Sequence, residues 1–281
     1  MPLPRLQLGE FEDAVWLPLW LRRMVVEALG FTMQSLRVYE QFFAHWQRAT
    51  HGTSRVIDLA SGSAMHVESL LACRERQSRG GARLGDEGAP DIVLTDLAPN
   101  LERFAELERD HPGVVRGERT PVDATHAGTR FAGASGAHAL SMFTAFHHLN
   151  DAEQRQLLTE ATRTSDAIVI AEASERSLQC LLANLFGLFL GAAAAFAPSR
   201  FSWRRLFFST VVPIVPLMLV WDGIASVLRC RTVTELEALV RSLPTNAFRW
   251  EIQRVRHPIW PLSLAPGVVL VGVRTPTNQA K

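Results

Sequence analysis

The sequence predicts an α/β protein with a doubly wound, mainly parallel sheet and an antiparallel closing hairpin. Three observations predict it. Short apolar strands alternate with helical stretches from Ser54 to Glu172, and several of the strands end in an acid. A bend of small residues follows the first strand. Two late apolar strands come after a capped helix, which suits a hairpin at one edge of the sheet.

Size and composition bound the rest. The chain has 281 residues and 47% hydrophobic content, enough for one ample domain of roughly 150–200 residues plus elaborations. A formal net charge of +1, from 29 basic and 28 acidic side chains, lacks the basic excess of a dedicated nucleic-acid binder. The same apolar content argues against charge-rich disorder. Cys73, Cys180 and Cys230 form no CxxC pair, so neither a disulfide framework nor a structural zinc site is expected. The opening residues carry no apolar secretory stretch, and an intracellular protein is the expectation.

Residues 1–50 read as a helical cap. Trp16, Leu19, Trp20, Met24 and Val25, then Leu36, Phe42 and Phe43, recur at helical spacing, with Gly30 near the expected break between two helices. Residues 51–175 read as the α/β core. Its strands are Arg55 to Leu59, Asp91 to Asp96, Val114-Val115, Ala137 to Met142 and Ala167 to Glu172. Arg74 to Pro90 reads as an exposed loop, and Asp151 to Thr162 as a helix. Residues 176–231 form an apolar insertion with no charge from Ser177 to Ser199 and none from Leu206 to Trp221. Pro213 and Pro216 disfavour a regular helix across its second half. Residues 232–281 close the core: Thr232 to Glu235 is a capping-box sequence, its helix carries Leu236, Leu239, Val240 and Leu243 on one face, and strands follow near Phe248–Val255 and Val268–Val273.

In such a sheet, ligands bind outside the carboxyl ends of the strands, where strand order reverses. Asp58-Leu59-Ala60-Ser61-Gly62-Ser63-Ala64 supplies a bend whose small side chains let a ligand approach backbone amides. Asp96 is placed to accept from a ribose diol, with Leu97 beside it. Asp123, before Ala124, is placed to receive an exocyclic adenine amine. The fourth strand runs into Phe143-Thr144-Ala145-Phe146-His147-His148, a floor of aromatics and imidazoles. His147 and His148 are the candidate general bases, because an imidazole titrates near neutrality. For either histidine taken singly, packing against the sheet or capping the helix that begins at Asn150 or Asp151 is the simpler reading. No P-loop Gly-Lys-Ser/Thr follows the bend, and an NAD-type fingerprint would want three glycines where this bend has one.

Over roughly Ser54 to Glu172 this set resembles the class I, Rossmann-like S-adenosylmethionine-dependent methyltransferases. Asp58 to Ala64 stands in place of that family's glycine-rich first motif, Asp96 in place of its ribose-binding acid, and Val122-Asp123-Ala124 in place of its adenine-side motif. The aromatic-then-His-His-Leu run matches its fourth-strand segment. The flanks resemble a bacterial group with a Trp/Pro-containing N-terminal helix and a late Trp-Asp-Gly. The resemblance implies S-adenosylmethionine as cofactor, held by Asp58, Ala60, Ser61, Gly62, Asp96, Leu97, Asp123, Ala124 and Phe143, and no metal. It departs at Ala60 and Ala64, which stand where glycines are usual; an alanine held at positive φ costs about 1 kcal/mol or more. These departures leave a non-catalytic, membrane-associated or scaffold protein on a degenerate methyltransferase fold as the alternative.

Seven tryptophans and fifteen phenylalanines point to a small apolar or lipid-like acceptor. Trp16, Tyr39, Trp221 and Asp222 are its candidate contacts, with an Asp222–Arg229 ion pair as the simpler reading of Asp222. The insertion reads as a greasy lid or as a membrane-surface contact through residues 178–220, with Arg200, Arg204 and Arg205 on one side. The expected location is cytoplasmic, peripheral to the inner membrane face if that contact forms.

Overall fold

A computed structural model describes residues 3–14, 16–79, 90–132, 137–186, 189, 192–193, 202–245, 247–257 and 262–275. The chain divides into two compact units. One contains residues 42–172, 233–255 and 268–281; the other contains residues 1–41, 173–232 and 256–267.

The first unit is built on one seven-stranded sheet in the order β3-β2-β1-β4-β5-β7-β6. Its strands are β1 (Arg55–Leu59), β2 (Asp91–Leu94), β3 (Val115–Gly117), β4 (His138–Phe143), β5 (Ala167–Glu172), β6 (Phe248–Val255) and β7 (Gly267–Arg274). The first five pair in parallel, and β7 runs antiparallel to β5, with Ala167 opposite Val273 and Glu172 opposite Val268. The fold is therefore a Rossmann-like α/β fold. Strands β4 and β5 are buried along their whole length, which is why they read as unbroken apolar runs rather than alternating ones. The chain leaves β1 for β2 and β3, then returns to lay β4 on the other side of β1. That reversal puts a crevice at the carboxyl ends of β1 and β4.

Helices α2 (Phe43–Thr50), α3 (Met65–Arg79), α4 (Leu101–Asp110), α5 (Ala127–Phe131), α6 (Asp151–Thr164) and α10 (Val233–Arg241) belong to this unit. Helix α10 begins just after Thr232 and buries Leu236, Leu239 and the following Leu243 in one core with Leu157 and Leu158 of α6 and Ile57, Leu140 and Ile168 of the sheet. Helix α6 carries a complete capping box between Asn150 and Glu153, so neither histidine caps it. Helix α3 extends to Arg79, further than the loop expected from Arg74, and residues 80–89 of that loop lie outside the described residues.

The second unit holds α1 (Leu19–Ser35), α7 (Leu178–Asn184), α8 (Trp203–Leu206) and α9 (Ile214–Arg229). Leu21, Met24, Val25 and Ala28 of α1 pack on Val215, Met218 and Leu219 of α9. The expected break at Gly30 does not occur. Gly30 is buried inside α1, an interior glycine costs a helix only about 1 kcal/mol, and the chain turns instead at Arg37, whose φ is +53°. The prolines likewise allow more helix than expected: Pro213 immediately precedes α9 and Pro216 lies in its first turn, where an N–H has no intrahelical partner to lose. Trp221-Asp222-Gly223 is therefore mid-helix, not the end of a segment. Gly223 permits the close approach of α7, since a Cβ there would lie 2.1 Å from the Asn184 side-chain oxygen.

Candidate active site

The bend after β1 has the backbone of a glycine-rich turn written partly in alanine. Ala60, Gly62 and Ala64 all have φ between +51° and +53°. Each alanine therefore carries a left-handed cost of roughly 1–2 kcal/mol that glycine would escape. Neighbouring contacts hold it. Ala64 N–H donates to the Ser61 carbonyl at 2.6 Å, and Ser61 N–H donates to Thr95 O at 2.8 Å. Arg103 of α4 donates to the Ser63 carbonyl at 3.2 Å while pairing with Glu68 at 2.6 Å and Glu106 at 3.1 Å.

Asp58 lies under this bend and not in it. Its carboxylate is fully buried and accepts from Ser61 Oγ at 2.6 Å, from Ser141 Oγ of β4 at 2.7 Å and from His66 Nε2 of α3 at 2.8 Å. This places its carboxylate beneath the bend, in contact with protein groups. With both oxygens engaged by three inward donors, Asp58 ties β1, β4 and α3 together and fixes Ser61. Phe143 is also buried, stacked on His66 with ring centroids 4.8 Å apart and edge-on to Phe42. It shapes the floor from beneath.

Asp96, Leu97 and Gly62 are at the surface. Asp96 Oδ2 accepts the Gly62 amide at 2.8 Å, and Oδ1 accepts the Ala98 amide at the same distance. The two strand tips thus converge. A Cβ added to Gly62 would meet nothing within 4 Å, so the space above the bend is open. Leu97 is 69% exposed beside it, an apolar surface of the kind that covers the face of a planar base. Asp123 caps the short turn Ala124–His126, its Oδ1 accepting from the amide and hydroxyl of Thr125 at 2.8 and 2.7 Å. Partial burial raises the Asp123 pKa, but those hydrogen bonds outweigh it and hold the carboxyl below its ordinary range. Val122 N–H donates to the Asp96 carbonyl, which links the two acidic tips through backbone.

At the end of β4, Thr144 has φ +49°, a genuine outlier for a β-branched residue, and its amide is fixed on Ala171 O at 2.7 Å. The sharp turn throws Phe146 and His147 back over the sheet. His147 is buried, with Nδ1 2.8 Å from Glu172 Oε2 and its backbone amide donating to Glu172 Oε1 at 3.1 Å. A carboxylate can only accept, so Nδ1 carries the proton and Nε2 is the basic nitrogen. His148 lies with its ring 4.4 Å from that of His147.

No protein-family model matches the chain, and no curated protein does. Solved structures similar to it include the methyltransferase domain of bacterial CtHen1, 13% identical with a TM-score of 0.49, over 84% of this chain and 99% of that one. The plantazolicin methyltransferase BpumL, solved with a pentazolic desmethylPZN analog and SAH, is 10% identical over 91% of this chain and 99% of that one, with a TM-score of 0.47. Human N-acetylserotonin methyltransferase, solved with SAM, is 12% identical with a TM-score of 0.44, and the chain spans 55% of it. The chemistry has to be read from the residues themselves.

Trp16, Tyr39, Trp221 and Asp222 belong to the other unit. Trp16 and Trp221 are exposed on either side of Phe11, with ring centroids 6.2 and 6.5 Å from it, and Tyr39 is buried. The expected Asp222–Arg229 pair does not form. Arg229 binds Glu10 at 3.1 Å and Asp13 at 3.7 Å, while Asp222 Oδ1 accepts the Phe11 amide at 2.7 Å. The reason is the path of residues 3–11, which the sequence pattern does not reveal. Leu6 N–H donates to Leu228 O at 3.0 Å and Arg5 Nε to Arg229 O at 2.9 Å, laying this strap along the end of α9.

Burial, reinforced by Glu10 and Asp13 and opposed by the Phe11 and Glu12 amides, raises the Asp222 pKa to about 6. An acid raised above its unfolded value of about 3.9 contributes stability that is whole below pH ~4 and lost as pH rises through ~6. Asp222→Asn should therefore melt near wild type at pH 4 and above it at pH 8, by up to about 3 kcal/mol. Melting curves across that range check this; a gap that stays constant with pH would contradict it.

Sequence reasoning missed Glu172 as His147's partner, His66 as Asp58's, and Thr144 as the strained corner. An acid closing β5 was a visible signal for the first. No local pattern pairs it with a residue 25 positions earlier.

Proposed function

We propose that the chain is an S-adenosylmethionine-dependent methyltransferase acting on a small, apolar acceptor. The observation that carries this reading is the Gly62–Asp96 hydrogen bond, which brings the first bend and the β2 acid together under open space. A ribose diol fits Asp96, because each carboxylate oxygen there accepts only one backbone donor in the described set and has a second lone pair. Leu97 and Asp123 would take the face and the amine edge of the adenine. Ser61 and Gly62, held by Asp58, would present the bend to the rest of the molecule.

When bound, the cofactor supplies a methyl group already activated on a sulfonium. The chain's own work is then to align the acceptor, exclude water and take a proton where the acceptor carries one. His147 Nε2 is the base assigned to that proton, with Glu172 steadying the imidazolium it becomes. The chain's seven tryptophans and fifteen phenylalanines support an apolar acceptor, the finer part of the proposal.

Thermal unfolding with and without S-adenosylmethionine tests the reading. Ligand at 100-fold excess over its dissociation constant should stabilise the protein by about 2.7 kcal/mol. Asp96→Ala should weaken binding by roughly 10–100-fold, the loss of a charge-assisted hydrogen bond of about 1.5–3 kcal/mol. No shift in the wild type would return the chain to the scaffold alternative.

A further inference from the structure

We propose that the unit comprising residues 1–41, 173–232 and 256–267 carries a docking surface for an anionic lipid bilayer, on which it lies without crossing. The inference goes beyond methyl transfer and does not depend on it.

The surface begins on α7. Leu178, Leu182 and Leu185 recur at helical spacing with Phe186 beside them, and all four are about half or more exposed, Leu178 at 62% and Phe186 at 58%. A helix that turns its leucines outward has its apolar face unpartnered. Trp203, 77% exposed, opens α8 with Arg204 next to it. An indole beside a guanidinium matches the boundary between acyl chains and headgroups, where the ring sits at headgroup level.

Charge decides which occupant fits. From Leu178 to Val220 the sequence contains no acid, and its only charges are Arg200, Arg204 and Arg205. Helix α1, tied to α8 by Arg204 lying 3.8 Å over the Trp20 ring, adds Arg22 and Arg23 against the single acid Glu27, which pairs with Arg205. Beyond the Glu27–Arg205 pair, α1 and α8 carry Arg22, Arg23 and Arg204 and no further acid, a local excess of positive charge complementary to anionic headgroups. Crossing is a different matter. Among the described residues no single helix is long and apolar enough to span a bilayer; Trp203–Val211 and Ile214–Arg229 pass together only as a pair bent by 66°. A bend of that size suits a shallow wedge.

Co-sedimentation of the purified full chain with vesicles of phosphatidylcholine alone, or of phosphatidylcholine with phosphatidylglycerol, tests the proposal. Binding to the anionic vesicles, weakening with added salt, is expected. Leu182→Glu/Phe186→Glu should lower the partition coefficient by roughly ten-fold or more, and Arg204→Gln by roughly five-fold. Unchanged far-ultraviolet dichroism and melting of these variants would show that the fold survives. Equal binding to neutral vesicles, no binding to either, or retention by the double variant would overturn the proposal. So would concentration-dependent self-association, abolished by the double variant, in a protein that ignores vesicles; the occupant would then be a second copy.

Discussion

Asp58→Ala is expected to destabilise the sheet unit by roughly 3–5 kcal/mol, the cost of stripping the acceptor from a buried, hydrogen-bonded polar cluster. The carboxylate takes Ser61, Ser141 and His66 at 2.6–2.8 Å in a site without solvent exposure. Its removal leaves the Ser141 hydroxyl and the His66 N–H facing a void, with Ser61 Oγ kept only by the Asp58 carbonyl and the Thr95 amide. Asp58→Asn keeps the volume but turns an N–H₂ toward at least one donor, so it should fall between alanine and wild type. Chemical denaturation at neutral pH is the measurement, and a loss under about 1 kcal/mol would contradict the cluster. Cofactor affinity should fall in the same order but less steeply, because Ser61 would lose its carboxylate partner while keeping its bonds to the Asp58 carbonyl and to Thr95. An effect on affinity without any loss of stability would instead place Asp58 in the ligand site.

His147→Ala is expected to lower kcat by about 10²–10⁴-fold toward any acceptor that must lose a proton, the usual contribution of a positioned base. Affinity for S-adenosylmethionine should be unchanged, since His147 is not among the residues at the Gly62–Asp96 bend. Glu172→Gln still accepts the ring N–H but gives up the charge opposite the protonated ring, so it should lose part of that factor. The Glu172 carboxylate also accepts the His147 amide at 3.1 Å, so Glu172→Ala should cost more than Glu172→Gln. Single-turnover rates with saturating cofactor separate these effects from binding. A His147→Ala enzyme within a few-fold of wild type would mean that alignment alone drives the transfer.

The parts of the molecule that a local pattern specifies were legible in the chain. Ile168, Val169 and Ile170 announce a buried strand because both faces of a parallel sheet are covered. Leu236, Leu239 and Leu243 announce a helix face by their spacing. Asp96 lies two residues beyond the end of β2 and Asp123 six beyond the end of β3, on the loops that the strand pattern announced. What stayed hidden depends on partners far along the chain. Asp58 was visible as a strand-end acid, but its inward orientation is set by Ser141, 83 residues later. Arg229 sits seven residues after Asp222, yet binds Glu10 because the strap of residues 3–11 lies along the end of α9. Gly30 looked like a hinge because glycine weakens helices in isolation, whereas packing of α1 on α9 settles the matter.

The two alanines in the first bend give a protein engineer an unusual lever. Exchanging either methyl for a hydrogen would relieve a backbone held against its preference, at the one place where the molecule's central crevice opens. The tolerance gained there would offset riskier substitutions elsewhere in the same sheet unit.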